Sequence, residues 1–287
     1  MSGAPPTDTP VGPPPSAPAL PPIGTGSAVI TAIGDVGWCG SQGMTRVARL
    51  LQSLSGTLIL AGDLAYMRGR IDEYRNCFDP EFGRFRGRFR PVPGNHEYED
   101  AGANGYFTYF GEAAGPGRLG YYSYRAGPWH ILMLNSEDPG GVAPSSAQYA
   151  WVRQELRTNP ARCTLAVWHR PFASSGPNGP EPRMRDLWQL LIDHQAEFVI
   201  SAHDHFYERF GPMDSGYAAD KDRGVRQFIA GSGGAPLYRA VNRFPNSERI
   251  VEAFGVLKMT LQPGVYEWEF IDATTNALVD NGRGECH

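Results

Sequence analysis

The sequence predicts an α/β protein in which two mixed sheets pack together with helices on their outer faces, a four-layer α/β/β/α sandwich. In the first part of the chain, short apolar runs alternate with helical patterns, which is typical of βαβ units and parallel strands. In the last part, apolar runs follow one another closely across Pro-Gly turns, as in antiparallel hairpins.

The first βαβ unit is the clearest part of the pattern. The apolar runs Ala28–Ile33 and Thr57–Ala61 are predicted strands, and the predicted helix Gln42–Leu54 between them has apolar residues at three- and four-residue spacing. The two strands are therefore expected to be parallel neighbours. A second helix is predicted over Ile71–Phe85. The overlapping Arg84–Arg90 run is predicted to be a solvated loop in which two phenylalanines reach the core.

The elements of the second half are predicted from the same periodicities. Residues 98–120 are rich in Gly and Tyr and are expected to form a rim loop. Helices are predicted from a Ser145-Ser146 cap to about Arg157 and over Arg183–His194. His130, inside a predicted strand, is expected to be a packed side chain rather than a ligand. The predicted strands are Tyr121–Arg125, Trp129–Leu134, Cys163–Trp168, Phe198–Ile200, Val225–Ala230, Phe254–Leu261 and Tyr266–Ile271.

The amino-acid composition indicates the domain organisation and argues against some partners. The first 26 residues hold nine prolines and few large apolar side chains, so residues 1–26 are expected to be disordered or extended and residues 27–287 to form one domain. The net charge of −4, without a broad basic patch, argues against a nucleic-acid partner. No apolar run approaches the roughly 20 residues of a membrane-spanning helix.

The four cysteines favour an exported protein. Cys39, Cys77, Cys163 and Cys286 contain no CxxC pair, so a zinc knuckle is not predicted. One of the three pairings joins Cys39 to Cys77 and Cys163 to Cys286, and the alternative is four buried thiols, as in cytosolic enzymes. We favour disulfides and a secreted, periplasmic or cell-surface location. Residues 1–26 themselves have neither the basic nor the apolar region of a signal peptide.

Polar side chains that follow the predicted strands are the main functional signal. The carboxyl ends of strands meet at one edge of an open α/β sheet, where such sheets bind ligands. The residues at these positions are Asp35, Asp63, Tyr66, Asn95, His96, His169, His203 and His205. Each segment alone is equally explained as a turn or a cap. Their recurrence after one apolar strand after another favours a metal site.

The number and type of these side chains predict two metal ions. Carboxylate oxygen and imidazole nitrogen together suit zinc, iron and manganese. The side chains are too many for one ion, and a carboxylate such as Asp63 can bridge two. Pairs of ions about 3.5–4 Å apart serve phosphoryl transfer by clamping the attacking and leaving oxygens.

Five ordered blocks carry a resemblance to a known family. They are Gly34-Asp35-Val36-Gly37, Gly62-Asp63-Leu64-Ala65-Tyr66, Gly94-Asn95-His96-Glu97, Val167-Trp168-His169 and Ala202-His203-Asp204-His205. Together they resemble the purple acid phosphatases, a branch of the calcineurin-like metallophosphoesterases, over about residues 28–271. Many metallophosphoesterases have a histidine where this chain has Gly37, and purple acid phosphatases have a tyrosine where it has Tyr66.

The resemblance implies a binuclear centre in a catalytic domain. A ferric ion would be held by Asp35, Tyr66 and His205. A divalent iron, zinc or manganese ion would be held by Asn95, His169 and His203. Asp63 would bridge the two ions, and the implied catalytic residues are Asp63 and His96. His96 would stabilise developing charge or protonate the leaving group.

The implied function is hydrolysis of a small-molecule phosphoester, first of all a phosphomonoester, by a hydroxide formed from metal-bound water. The alternatives are a phosphodiesterase on the same site and a non-catalytic secreted metal-binding protein. Family members often carry further histidines after the block that ends in His169. The segment Phe172–Arg185 has none, so an acidic pH optimum is not required.

Overall fold

The computed structural model describes residues 24–287, which form two mixed sheets packed face to face with helices outside. The predicted four-layer α/β/β/α architecture is confirmed. The disorder predicted for residues 1–26 falls almost entirely outside the described residues. Within residues 24–287, no helix is long and apolar enough to cross a membrane.

Within residues 24–287, thirteen strands build the two sheets. They are β1 (Ala28–Ile33), β2 (Thr57–Ala61), β3 (Phe89–Val92), β4 (Tyr122–Ala126), β5 (Trp129–Met133), β6 (Cys163–Val167), β7 (Phe198–Ser201), β8 (Tyr207–Phe210), β9 (Arg226–Ala230), β10 (Ser247–Val251), β11 (Gly255–Gln262), β12 (Val265–Asp272) and β13 (Leu278–Glu285). The first sheet has the order β13-β12-β11-β1-β2-β3, and the second has the order β10-β8-β9-β7-β6-β5-β4.

The first sheet has its parallel strands at one end, and the second has a parallel centre flanked by antiparallel strands. In the first sheet β1, β2 and β3 are parallel, whereas β1 pairs antiparallel with β11, which forms a hairpin with β12. In the second sheet β5, β6, β7 and β9 are parallel. The predicted βαβ unit and both predicted hairpins are confirmed. The carboxyl ends of the parallel strands carry the loops with the predicted site residues.

The space between the sheets is filled by apolar side chains from both. Ile30 and Ile59 from the first sheet and Leu165 and Ile200 from the second are fully buried in one cluster. Full burial of a side chain of this size contributes roughly 1.5–3 kcal/mol. This shared core fixes the strand ends of one sheet relative to those of the other.

Six α-helices lie on the described part of the chain. They are α1 (Gln42–Ser53), α2 (Ile71–Glu73), α3 (Asp79–Phe82), α4 (Asn104–Phe110), α5 (Ala147–Thr158) and α6 (Arg185–Asp193). Ser41 and Ser146 cap α1 and α5, because each side-chain oxygen accepts backbone N–H bonds from the first turn. The prediction of a cap at Ser145-Ser146 is confirmed at its second residue.

The prediction of a single helix over Ile71–Phe85 is wrong. The chain there passes from α2 through a π-helical turn, Tyr74–Phe78, to α3 and then to a 3-10 turn, Gly83–Arg88. Pro80 stands in the first turn of α3. It has no N–H to donate into the preceding turn, so the regular hydrogen-bond pattern breaks at that point.

Several strands and one helix were not predicted, because their sequences are not alternating apolar runs. The predicted loop Arg84–Arg90 ends inside β3, which is buried although it contains Arg90 and Pro91. β13 is a polar edge strand that pairs only with β12. β8, β10 and the helix α4 were missed as well. His130 is fully buried, with Nε2 lying 3.2 Å from Glu155 Oε1, as predicted for a packed side chain.

Two disulfides are present, as favoured over free thiols, and they follow the one pairing that was named as possible. Cys39–Cys77 has a Cα–Cα distance of 4.7 Å and ties the loop after β1 to the π-helical turn. Cys163–Cys286 has a Cα–Cα distance of 5.5 Å and joins the start of β6 to the residue after β13. The second bond therefore links the two sheets covalently.

We expect the Cys163→Ala/Cys286→Ala double variant to lose about 2–5 kcal/mol of unfolding free energy, because the bond closes 123 residues of the unfolded chain. Chemical denaturation of the oxidised proteins measures this loss. The control is Cys39→Ala/Cys77→Ala, which opens a loop of 38 residues and should lose less. An unchanged midpoint for the first variant would contradict the expectation.

Candidate metal centre

Loops after five parallel strands bring the predicted site residues to one edge of the packed sheets. The loop after β1 carries Asp35, that after β2 carries Asp63 and Tyr66, that after β3 carries Asn95 and His96, that after β6 carries His169, and that after β7 carries His203 and His205. Their polar atoms form two groups that share Asp63, with His96 beside them.

The first group, the tyrosine subsite, comprises Asp35, Asp63, Tyr66 and His205. The phenol oxygen of Tyr66 lies 3.0 Å from Asp35 Oδ1, 3.3 Å from Asp63 Oδ2 and 3.2 Å from His205 Nε2. All four side chains are buried. Oxygen and nitrogen donors at this spacing can surround one cation of the iron, zinc or manganese type.

The second group, the asparagine subsite, comprises Asp63, Asn95, His169 and His203. His169 Nε2 lies 3.2 Å from Asp63 Oδ2, 3.3 Å from Asn95 Oδ1 and 3.2 Å from His203 Nδ1. Ligand atoms of Asp63, His169 and His203 all lie within 4.8 Å of one another. The same oxygen, Asp63 Oδ2, therefore faces both subsites.

Backbone carbonyls orient the two most buried histidines of the centre. His169 Nδ1 lies 2.8 Å from the carbonyl oxygen of Ala61, and His205 Nδ1 lies 2.8 Å from that of Pro236. A carbonyl only accepts, so each Nδ1 donates its proton and Nε2 is directed at its subsite. Tyr238 stacks on the His205 ring with a centroid distance of 3.9 Å and fixes its plane.

The site turns hold three non-glycine residues in left-handed backbone conformations. The φ angles are 55° at Asp35, 53° at Asp63 and 71° at His203. Such conformations carry a cost and concentrate at functional sites. Gly62 precedes Asp63 with a φ of 88°, and a Cβ there would lie 2.5 Å from His169 Nδ1. The close approach of these turns therefore requires glycine at position 62.

A buried glutamate, to which sequence reasoning assigned no role, holds two of the turns. Glu97 Oε2 accepts the N–H groups of Asp63 at 2.8 Å and Gly94 at 2.6 Å. Its Oε1 accepts the N–H of Leu64 and the hydroxyl of Tyr74, at 2.8 and 2.9 Å. One carboxylate thus fixes the loops after β2 and β3. The only sequence signal was its place at the end of the third block.

The charges of the tyrosine subsite fit a cation. Burial raises the pKa of Asp35 well above its ordinary value; the charge on His169 opposes the rise and that on Asp63 adds to it. Burial also raises the pKa of Tyr66, and the charges on Asp35 and Asp63 raise it further. Two anions and a phenol in one buried space are costly by themselves, and a cation between them offsets that cost.

The asparagine subsite has a different charge balance. Burial opposes ionisation of Asp63, but His169 outweighs it and the pKa of Asp63 is lowered. Burial works against the charge on His169, but Asp63 outweighs it and raises the pKa of His169 to about 10. Burial, with repulsion from His169, lowers the pKa of His203 to about 2. His203 is thus neutral and ready to bind a metal, which would displace the Nε2 proton of His169.

Position 37 has no room for a ligand side chain. A Cβ at Gly37 would lie 2.0 Å from the carbonyl oxygen of Leu64. The backbone N–H of Tyr66 donates to the carbonyl oxygen of Gly37 at 3.2 Å, which ties the loops after β1 and β2 together. The phenol of the tyrosine subsite therefore comes from Tyr66, and the backbone approach at Gly37 places it there.

His96 lies at the edge of the centre. Its Nδ1 lies 2.6 Å from the carbonyl oxygen of Met67, so this nitrogen donates and Nε2 is left free. Nε2 lies 3.9 Å from Asp63 Oδ2, and the ring packs on Tyr66 with a centroid distance of 4.6 Å. The side chain is 24% exposed, so a molecule entering from solvent can reach it.

A shared carboxylate between two ligand groups, at the strand ends of two packed sheets, makes this a candidate site for two metal ions. The chain belongs to the calcineurin-like phosphoesterase family, whose sequence profile matches residues 28–207. The family predicted from the five blocks is confirmed.

Relatives include purple acid phosphatases. Purple acid phosphatase 21 of Arabidopsis thaliana is 30% identical over 177 residues, 54% of this chain and 39% of that protein. An uncharacterised protein of Mycobacterium tuberculosis is 29% identical over 201 residues, 61% of this chain and 37% of that protein. The purple acid phosphatase PPD1 of yellow lupin matches the fold with a TM-score of 0.75 at 19% identity, over 93% of this chain and 55% of that one. This chain spans less than half the length of the two curated relatives.

We expect Glu97→Gln to lower both stability and metal content. The amide keeps one acceptor oxygen and turns an NH₂ group toward two donors, which costs about 1–3 kcal/mol for each buried group left unpaired. Thermal unfolding and elemental analysis measure the two effects. Glu99→Gln, an exposed carboxylate two residues away, is the matched control. Wild-type metal content in Glu97→Gln would contradict the positioning role.

Proposed function

We propose that this chain is a binuclear-metal phosphoester hydrolase of the purple acid phosphatase type and acts on phosphomonoesters. The observation that carries the proposal is Asp63 Oδ2, which lies 3.3 Å from the phenol oxygen of Tyr66 and 3.2 Å from His169 Nε2. An oxygen placed between two ligand groups is suited to bridge two cations. The ligand types on either side differ, so the two cations are expected to differ as well.

The tyrosine subsite suits Fe(III), because phenolate and carboxylate are hard anionic donors and Tyr66 ionises only beside a strong positive charge. The asparagine subsite, with a neutral amide and two imidazoles beside Asp63, suits divalent iron, zinc or manganese. When bound, the two ions would polarise the phosphoryl oxygens and lower the pKa of a water molecule.

The chain's own residues supply orientation and proton transfer. Asp63 faces both subsites with one oxygen, while its other oxygen accepts the backbone N–H of His96 at 2.9 Å. This bond fixes His96 beside the centre. Because Nδ1 donates to the Met67 carbonyl, a His96 ring that carries both protons directs Nε2–H toward the leaving-group oxygen or a developing negative charge.

Two disulfides with no free cysteine in the described range support an exported protein, because such bonds persist in oxidising compartments. We therefore place the activity in a secreted, periplasmic or cell-surface setting and on a small-molecule phosphoester.

We expect the iron-loaded protein to be coloured and Tyr66→Phe to lose the colour. The visible band would arise from charge transfer between the Tyr66 phenolate and Fe(III), and Phe has no oxygen to bind. Absorption spectra of the two proteins at equal iron content provide the measurement. Tyr238→Phe is the matched control, because Tyr238 only stacks on His205. A Tyr66→Phe protein with the wild-type spectrum would rule out Tyr66 as the ligand.

We expect Asp63→Asn to lose both metals and to reduce phosphomonoester turnover by about 100-fold or more, since a neutral amide bridges two cations poorly. Elemental analysis and hydrolysis of a nitrophenyl monoester check this, with the exposed Asp72→Asn as control. Faster turnover of a bis-nitrophenyl diester by the wild type would favour the phosphodiesterase. Metal-loaded wild type without turnover of either ester would favour a non-catalytic metal-binding protein.

A further inference from the structure

Arg170 lies beside the asparagine subsite without belonging to either ligand group. It directly follows His169, and its Nη1 lies 3.1 Å from His203 Nε2. We propose that Arg170 binds an oxygen of the substrate's phosphoryl group at the asparagine subsite. This proposal deepens the proposed function and rests on it.

Hydrogen bonds to Ser136 and Glu137 hold Arg170 in one orientation. Its Nε donates to Glu137 Oε1 at 2.7 Å, and its backbone N–H donates to Ser136 Oγ at 3.2 Å. The hydroxyl of Ser136 in turn donates to Glu137 Oε1 at 3.1 Å. The side chain of Glu137 is only 10% exposed, against 25% for Arg170. The guanidinium is thus anchored through one edge while its outer nitrogens face the centre and solvent.

Metal binding would leave Arg170 without its present acceptor. His203 presents Nδ1 to the asparagine subsite, so a neutral His203 that binds a cation there carries its proton on Nε2. Nε2–H and the Nη1–H of Arg170 would then both be donors 3.1 Å apart. Among residues 24–287, Nη2 of Arg170 donates to no protein acceptor. In the loaded protein, the outer nitrogens of the guanidinium therefore need an acceptor from outside the protein, which water or a bound anion can supply.

A phosphoryl oxygen meets that requirement. A guanidinium offers planar, paired donors that match phosphate geometry, and charge-assisted bonds of this kind are stronger than neutral ones. Glu137 already balances the charge through Nε without using the outer nitrogens. The phosphoryl group would thus bring the acceptor that the loaded His203 no longer provides.

The other cations of the same region are engaged elsewhere. Arg183 pairs with Glu181 at 2.9 Å, and Arg185 lies over the ring of Tyr217 at 5.6 Å. The segment Phe172–Arg185 contains no histidine. Among the arginines of residues 170–185, Arg170 is therefore the one that contacts the centre and can bind an anion there.

Buried carboxylates keep the segment beyond Arg170 in place. Ser174 donates its hydroxyl to Asp204, which also accepts the N–H of Asn178. The side-chain amide of Asn178 donates to the carbonyl oxygen of His203 at 2.9 Å. These contacts fix the segment after Arg170 to the turn that carries His203.

Calorimetric titration of the metal-loaded protein with inorganic phosphate tests the proposal independently of turnover. We expect Arg170→Met to weaken phosphate binding about 10- to 100-fold, the effect of one lost charged hydrogen-bonding group, and Arg170→Lys to recover part of the loss. Arg183→Met, an exposed arginine on the same segment, should bind phosphate like the wild type. Metal content and melting temperature are measured on every variant.

The outcomes separate a phosphate-binding role from a structural one. Weaker phosphate binding by Arg170→Met at wild-type metal content, with partial rescue by Lys, supports the proposal, as does a rise in KM for the monoester. Wild-type phosphate affinity in Arg170→Met, or loss of metal without rescue by Lys, overturns it. If the loaded wild type hydrolyses no phosphoester but still binds phosphate through Arg170, the proposed function fails and this inference stands.

Discussion

The position of one carboxylate oxygen is the constraint on which the centre depends. Asp63 Oδ2 faces two ligand groups at once, and it can do so only from a left-handed turn at the end of β2. Gly62 gives that turn room against His169, and Glu97 collects the N–H groups that the turn leaves unpaired. Since both supports lie on loops after parallel strands, the shared apolar core that aligns the two sheets also aligns the centre.

The charge distribution of the centre suits the binding of metal ions but does not favour the stability of the metal-free protein. Asp35 and Asp63 lie in one buried space, and the phenol of Tyr66 sits between them with a raised pKa. In the absence of ions, the imidazole of His169 is the largest compensating charge for these carboxylates among the described residues. Metal binding releases protons from such groups and contributes to the folding free energy. The centre and the stability of its loops are therefore coupled.

Sequence patterns predicted the parallel half of the fold well because its strands are short apolar runs ended by turn residues. β1 and β2 match their predicted bounds. The polar edge strand β13 does not show such a pattern, because its pairing with a partner strand determines it. The helix break at Pro80 does not show one either, because local hydrogen bonds determine it. Likewise, residue type and position pointed to the metal ligands. Glu97 and Arg170 could not be recognised, since their roles depend on which N–H groups and ring nitrogens lie around them in space.

The two subsites differ in their access to solvent, and this difference defines the side from which a molecule can enter the centre. Asp35, Tyr66 and His205 are buried, and Tyr238 stacks over His205, so the tyrosine subsite is closed by protein. Asn95 and His203 are only half-buried. The asparagine subsite is thus the open side, and His96 and Arg170 stand at the margin of the centre. Under the proposed function, a phosphoester that approaches from solvent would meet His96 and Arg170 before it reaches the shared oxygen of Asp63. The closed subsite would then order the centre, and the open one would receive the substrate.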